Sequence, residues 1–182
     1  MTREGLEWLK CRGFARLPWL LHAFSTRRGG VSRAPVAGLN LGYIPADQRA
    51  NVEQNRRLFF SEIGAQGFWL AGLRQIHSAE AYQVVRRAPG ELEYRPAGDP
   101  VAEVSAAHHP AGDALLTDRP GILLSVRSAD CLPVLLVDAR QRALAAIHVG
   151  RQGALQRLVE RTVGAMRRLF GSDPRRMLAA LG

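Results

Sequence analysis

The chain has 182 residues, 47% of them hydrophobic and 23% charged, with 25 basic against 16 acidic side chains and a formal net charge of +9. That length suits one domain spanning 1–182 with a sizeable core, and no apolar run reaches the roughly 18–20 residues of a membrane-crossing helix. A basic surface attracts phosphates, but 24 of the 25 cations are arginines, scattered singly or in pairs without interleaved aromatic residues, so nucleic-acid binding is not the expected role.

The first residues, "MTREGLEWLKCRGF", mix acid, base and apolar side chains and carry no secretion signal, which makes the cytoplasm the expected compartment. Cys11 and Cys131 are the only cysteines, so no disulfide framework is implied; Cys11 reads as structural and Cys131 as a thiol available for chemistry. Residues 20–26 read as a strand entering the turn "RRGGVS", followed by a second glycine-punctuated loop, "GLNLGY". Between Asn51 and Ile63 the apolar residues Val52, Phe59, Phe60 and Ile63 fall partly at helical spacing, and Gly64 supplies a stop.

Two strands follow at 68–78 and 81–87, joined near Ser78 to Glu80. Residues 88–113, rich in proline, glycine and alanine, read as an irregular excursion. Four short apolar segments, "DALLTD", "GILLSV", "PVLLVD" and "ALAAIHV", have the character of strands covered on both faces. From Ala154 to Phe170 apolar residues recur every three or four positions, predicting one amphipathic helix against the sheet. Asp173 and Pro174 suit the N-cap and first position of a further helical turn, and "MLAALG" begins a last strand, which needs a covering partner or further chain.

The chemistry concentrates in "SVRSADCLPVLLVD", residues 125–138. A hairpin turning at Ala139 and Arg140 would set Cys131 opposite His148, with Cα atoms about 4.5–5.5 Å apart. His77, at the end of its own strand-like segment, is a plausible third member. Two histidines and a cysteine are suitable zinc ligands, and three protein ligands leave a fourth position for water or substrate, the pattern of a catalytic site. Without metal, the same residues could form a Cys–His nucleophile pair, and spacing does not separate the two. The adjacent His108 and His109 point apart on an extended chain and read as a loop. Asp113 suits substrate binding or a strand start equally, and Arg27, Arg28 and Arg56 are either solvated charge or a phosphate clamp.

The motifs "HAFSTRRGGVS", "GLNLGY", "NVEQNRR", "LRQIHS", "GDALLTDRPGILLSVRSADCLPVLLVD" and "AAIHVG", in this order from about residue 22 to 170, resemble the YfiH-like family, also called the multicopper polyphenol oxidase or laccase-domain family. The resemblance implies an α/β (α+β) fold of mixed sheets flanked by helices. It also implies a metal site of His77, Cys131 and His148, holding zinc rather than copper. The implied activity is phosphorolysis of purine nucleosides such as adenosine, inosine and methylthioadenosine, with adenosine deamination beside it; nucleoside and phosphate are the expected partners. Arg27 or Arg56 would then hold phosphate, Asn40 would shape the pocket, and Asp130 would assist proton transfer. Alternatives on the same residues are a copper polyphenol oxidase, a cysteine-type hydrolase editing peptidoglycan precursors, or a non-catalytic metal-binding domain. With five histidines in all, a multicopper array is not expected.

Three departures stand out. Ser78 occupies a position where the family pattern has glycine, and Arg151 and Gln152 stand where it has an aromatic residue and arginine. The pattern also continues past "LG" into a segment with a further cysteine, tyrosine and acid. Without that segment one wall of the pocket is expected to be missing, and metal binding is the property expected to survive.

Overall fold

A computed structural model describes residues 5–98 and 109–182. The chain divides into two compact units, Met1–Gly67 and Phe68–Gly182.

In the first unit, β1 (Trp8–Leu9) pairs antiparallel with β2 (Phe24–Ser25), and one long helix, α1 (Arg49–Glu62), follows the glycine-rich loops. Asn55 on α1 is fully buried and organises those loops. Its Oδ1 accepts from the Val31 amide at 2.8 Å, and its Nδ2 donates to Ser32 Oγ and to the Asn40 carbonyl, both at 2.9 Å. Gly30 is required there: at φ 78° its backbone favours glycine, and a Cβ would lie 2.6 Å from Asn55 Oδ1. Asp47, just before the helix, accepts from Ser32 Oγ (2.6 Å), Asn40 Nδ2 (2.7 Å), Gln48 N (2.8 Å) and Asn51 Nδ2 (3.0 Å). Those donors lower its carboxyl to about 2.

The second unit begins with β3 (Trp69–Ala71), paired in parallel with β7 (Ile122–Leu124). Its main sheet holds β4 (Ala81–Ala88), β5 (Glu91–Pro96), β6 (Ala114–Thr117), β8 (Leu132–Asp138), β9 (Ala143–Val149) and β10 (Leu178–Leu181), in the order β10-β8-β9-β6-β4-β5. All neighbours are antiparallel except β4 and β6, so the sheet is mixed. Alternation of side chains along each strand builds two cores. On one face Leu116, Val134, Leu136, Ala145 and Ile147 pack against Leu158, Ala165 and Met166 of α3 (Leu158–Phe170). On the other, Leu115, Tyr82, Val84 and Tyr94 pack against Ala71 and Ile122 of the β3–β7 pair. The expected α/β arrangement of mixed sheets with flanking helices is therefore the observed one.

Four local expectations need correction. Part of the excursion at 88–113 is strand β5: Leu92 and Tyr94 turn inward while Glu91 and Arg95 are exposed, a period of two hidden by the surrounding proline and glycine. Residues 99–108 of that excursion lie outside the described residues. The strand expected over 68–78 stops at Ala71, and further along the Ile76 and Ser78 amides donate to the buried Asp113 carboxylate instead of to a neighbouring strand. The helix expected over 154–170 is broken into α2 (Arg151–Leu155) and α3, with Arg157 in the left-handed region at φ 60°. The break leaves Leu155 exposed and buries Leu158 completely. Finally, the β8–β9 turn is two residues longer than expected, so Pro133 rather than Cys131 stands opposite His148. The Asp173 cap is as expected, its Oδ1 accepting from the Arg175 amide at 3.1 Å, and the last strand is covered on one side by β8.

Candidate metal centre

Three segments meet at the end of the main sheet where β8 begins and β9 finishes. His148 is the next-to-last residue of β9 and is buried; Cys131 immediately precedes β8 and is half-buried; His77 lies in the loop after β3 and is exposed. The two-residue error in the hairpin does not separate them. A shift of two keeps every side chain on its own face, and Cys131 lies one step beyond the last paired residues, Leu132 and Val149, diagonal to His148. The candidate ligand atoms of the three side chains all lie within 4.8 Å of one another. The two imidazole rings stand 4.9 Å apart, edge to face at 70°.

Asp113, directly before β6, is buried with no exposed surface. Its Oδ1 lies 2.8 Å from His148 Nδ1, and its Oδ2 accepts from the Ser78 amide (2.6 Å), Ser78 Oγ (2.8 Å) and the Ile76 amide (3.3 Å). Burial, the largest single influence, would raise this carboxyl; the bonds from Ser78, His148 and Ile76 outweigh it and hold the pKa below the ordinary range. An ionised carboxylate only accepts, so His148 carries its proton on Nδ1 and presents the Nε2 lone pair. His77 sits between the two donating amides at φ 59°, an uncommon conformation for a side-chain-bearing residue.

A second tie joins the loops that carry His77 and Cys131. Gln75 Nε2 donates to the Arg127 carbonyl at 2.6 Å, and the Arg127 amide donates back to Gln75 Oε1 at 2.8 Å. Ser128 Oγ hydrogen-bonds the Cys131 carbonyl. Desolvation, followed by the charge and hydrogen bond of the neighbouring exposed Asp130, pushes the Cys131 thiol above its ordinary pKa. That direction is opposite to the depression an activated cysteine nucleophile needs.

The donor set fits one divalent ion. Two imidazoles and a thiolate form bonds of about 2.0–2.3 Å to zinc, within reach of these atoms after shifts of about 1 Å, and leave a fourth position. Gly150 keeps the space clear: a Cβ there would lie 2.6 Å from His77 Cδ2 and 3.3 Å from Cys131 Sγ.

The other candidates have separate settings. Arg27 is exposed, its carbonyl accepting from the Leu39 amide at 2.9 Å. Arg56 is half-buried; its Nε donates to the Leu41 carbonyl at 2.9 Å and its guanidinium lies 4.6 Å from the Tyr43 ring centroid. Asn40 is fixed by Asp47, and its Oδ1 accepts from the Gly42 amide at 3.1 Å. These three belong to the first unit, the trio to the second. His109 Nδ1 stands 3.2 Å from the Gly72 carbonyl, while His108 lies outside the described residues. The Cys11 amide donates to His22 Nε2 at 3.0 Å. What sequence reasoning missed is the role of Asp113. The signal was the β6–β9 pairing, which puts Ala114 against Ile147 and so carries Asp113 to His148.

Comparison with known proteins supplies the context. A family described as multi-copper polyphenol oxidoreductase laccase matches residues 21–182. A Deinococcus radiodurans protein named purine nucleoside phosphorylase is 37% identical over all 182 residues, which span 62% of its length. A Shigella flexneri protein named purine nucleoside phosphorylase YfiH is 32% identical over 87% of this chain and 56% of its own. Among solved structures, YlmD from Geobacillus stearothermophilus superposes with a TM-score of 0.80 at 25% identity, covering 100% of this chain and 63% of that one. The chain thus spans less than two thirds of the length of these relatives. Among the described residues no helix is long and apolar enough to cross a membrane.

Proposed function

This chain belongs to the multi-copper polyphenol oxidoreductase laccase family, and from that membership we propose that it acts as a zinc-dependent purine nucleoside phosphorylase, with adenosine deamination as a side activity. The observation that carries this reading is the convergence of His77, Cys131 and His148 within 4.8 Å, on a chain with relatives named purine nucleoside phosphorylase. A divalent ion held by the three would supply electrophilic polarisation of an oxygen in its fourth position.

The chain's own residues would do the rest. Phosphorolysis breaks the bond between the ribose C1′ and the base nitrogen and forms one from C1′ to a phosphate oxygen; the departing base gains a proton. Positioning and charge stabilisation are therefore the main requirements. Arg27 or Arg56 is proposed to bind phosphate, for which the planar guanidinium is suited, and Asn40 to shape the nucleoside pocket. Asp130, exposed beside Cys131, is proposed to deliver or hold the proton. The test is incubation of zinc-loaded protein with adenosine, inosine or methylthioadenosine, with and without phosphate. Phosphate-dependent release of free base is expected, and none at any metal loading overturns the reading. Two histidines and a cysteine also suit copper, so elemental analysis of the purified protein decides the ion.

A further inference from the structure

We propose that Asp113 is the positioning residue for both histidine ligands, its two carboxylate oxygens dividing the work between His148 and the loop that bears His77. The proposal rests on reading the His77–Cys131–His148 cluster as a metal site. Carboxylates behind a single metal-bound imidazole are common; the arrangement here is broader. Oδ1 takes the Nδ1 proton of His148, which leaves Nε2 as the ligand atom. Oδ2 gathers the amides on either side of His77, from Ile76 and Ser78, together with the Ser78 hydroxyl. Those bonds hold His77 in its left-handed backbone conformation, and that conformation sets where its ring projects. One carboxylate, buried with no exposed surface, therefore fixes the tautomer of one ligand and the backbone of the other.

An amide at this position cannot do both. Asparagine has one acceptor oxygen and one donor NH2. With its NH2 toward His148, the ring must accept at Nδ1 and carry its proton on Nε2, where it cannot ligate. With its NH2 toward Ile76 and Ser78, three donors face a fourth and the His77 loop is displaced. Either orientation costs one imidazole.

Co2+ titration of the full chain tests this, because cobalt reports coordination by visible absorption without any turnover. Wild type is expected to take up one equivalent with a thiolate charge-transfer band. Asp113→Asn is expected to bind Co2+ about 10- to 100-fold more weakly, with a changed visible envelope. Ser78→Ala keeps Asp113 and removes one donor, and should weaken binding about 2- to 10-fold. Wild-type affinity and spectrum in Asp113→Asn overturn the proposal and leave the metal reading intact. Should Asp113→Asn not fold by circular dichroism, Ser78→Ala decides, and unaltered Co2+ affinity there overturns it. No uptake by wild type sinks the metal reading and the proposal with it.

Discussion

At the scale of single residues the proposed centre should be sensitive to one absent side chain as well as to three present ones. Gly150→Ala places a methyl group 2.6 Å from the His77 ring carbon and 3.3 Å from the Cys131 sulfur, so metal content after gel filtration should fall well below that of wild type. Cys131→Ala removes the thiolate and should retain essentially no ion under the same treatment; full occupancy in either variant contradicts the assigned ligand set. The trio was legible in the sequence, although the pairing that located it was shifted by two residues. Strand side chains repeat every two positions, so the shift left Cys131 and His148 on one face. Asp113 was not legible, since its partners at 76, 78 and 148 are all distant in the chain. A carboxylate in front of an apolar strand also serves as a turn residue.

Elements add their own expectations. Met166 of α3 is fully buried between helix and sheet, and Met166→Ala should cost about 2–5 kcal/mol in denaturant unfolding, with little effect on metal stoichiometry. In the first unit, Asp47 ties the glycine-rich loops to the start of α1, and its carboxyl is lowered from 3.8 to about 2. A depressed carboxyl contributes fully above its unfolded-state value and loses that contribution as pH falls toward the folded one. Wild type should therefore lose its stability advantage over Asp47→Asn between about pH 4 and pH 2, measured by acid unfolding of the two proteins. The apolar core strands and the stretch near Asn51 to Ile63 could be read from periodicity. Strand β5 could not, because the residues around it have loop composition, and the α2–α3 break could not, because Arg157 carries no local mark of its left-handed backbone.

For the whole molecule, the ion would join the loop after β3 to the open end of the β8–β9 hairpin, where the other two ligands stand. A ligand that binds only the folded form at 100 times its Kd stabilises by about 2.7 kcal/mol. For this size that corresponds to a rise in Tm of about 5–11 °C. Calorimetry with Zn2+ and then with a chelator should show that rise and its reversal in wild type and neither in Cys131→Ala. A sheet core with an amphipathic helix against it was legible in the short apolar segments and the period of 154–170, and the family resemblance supplied the fold class. The sheet order β10-β8-β9-β6-β4-β5 was not, since it depends on pairings between distant segments. The reciprocal bonds between Gln75 and Arg127 bear on how the proposed site would take up an ion. They couple the imidazole of one loop to the sulfur of the other before any ion arrives, so capture draws on an ordering cost already met during folding. A divalent ion bound there would then leave without the two loops separating.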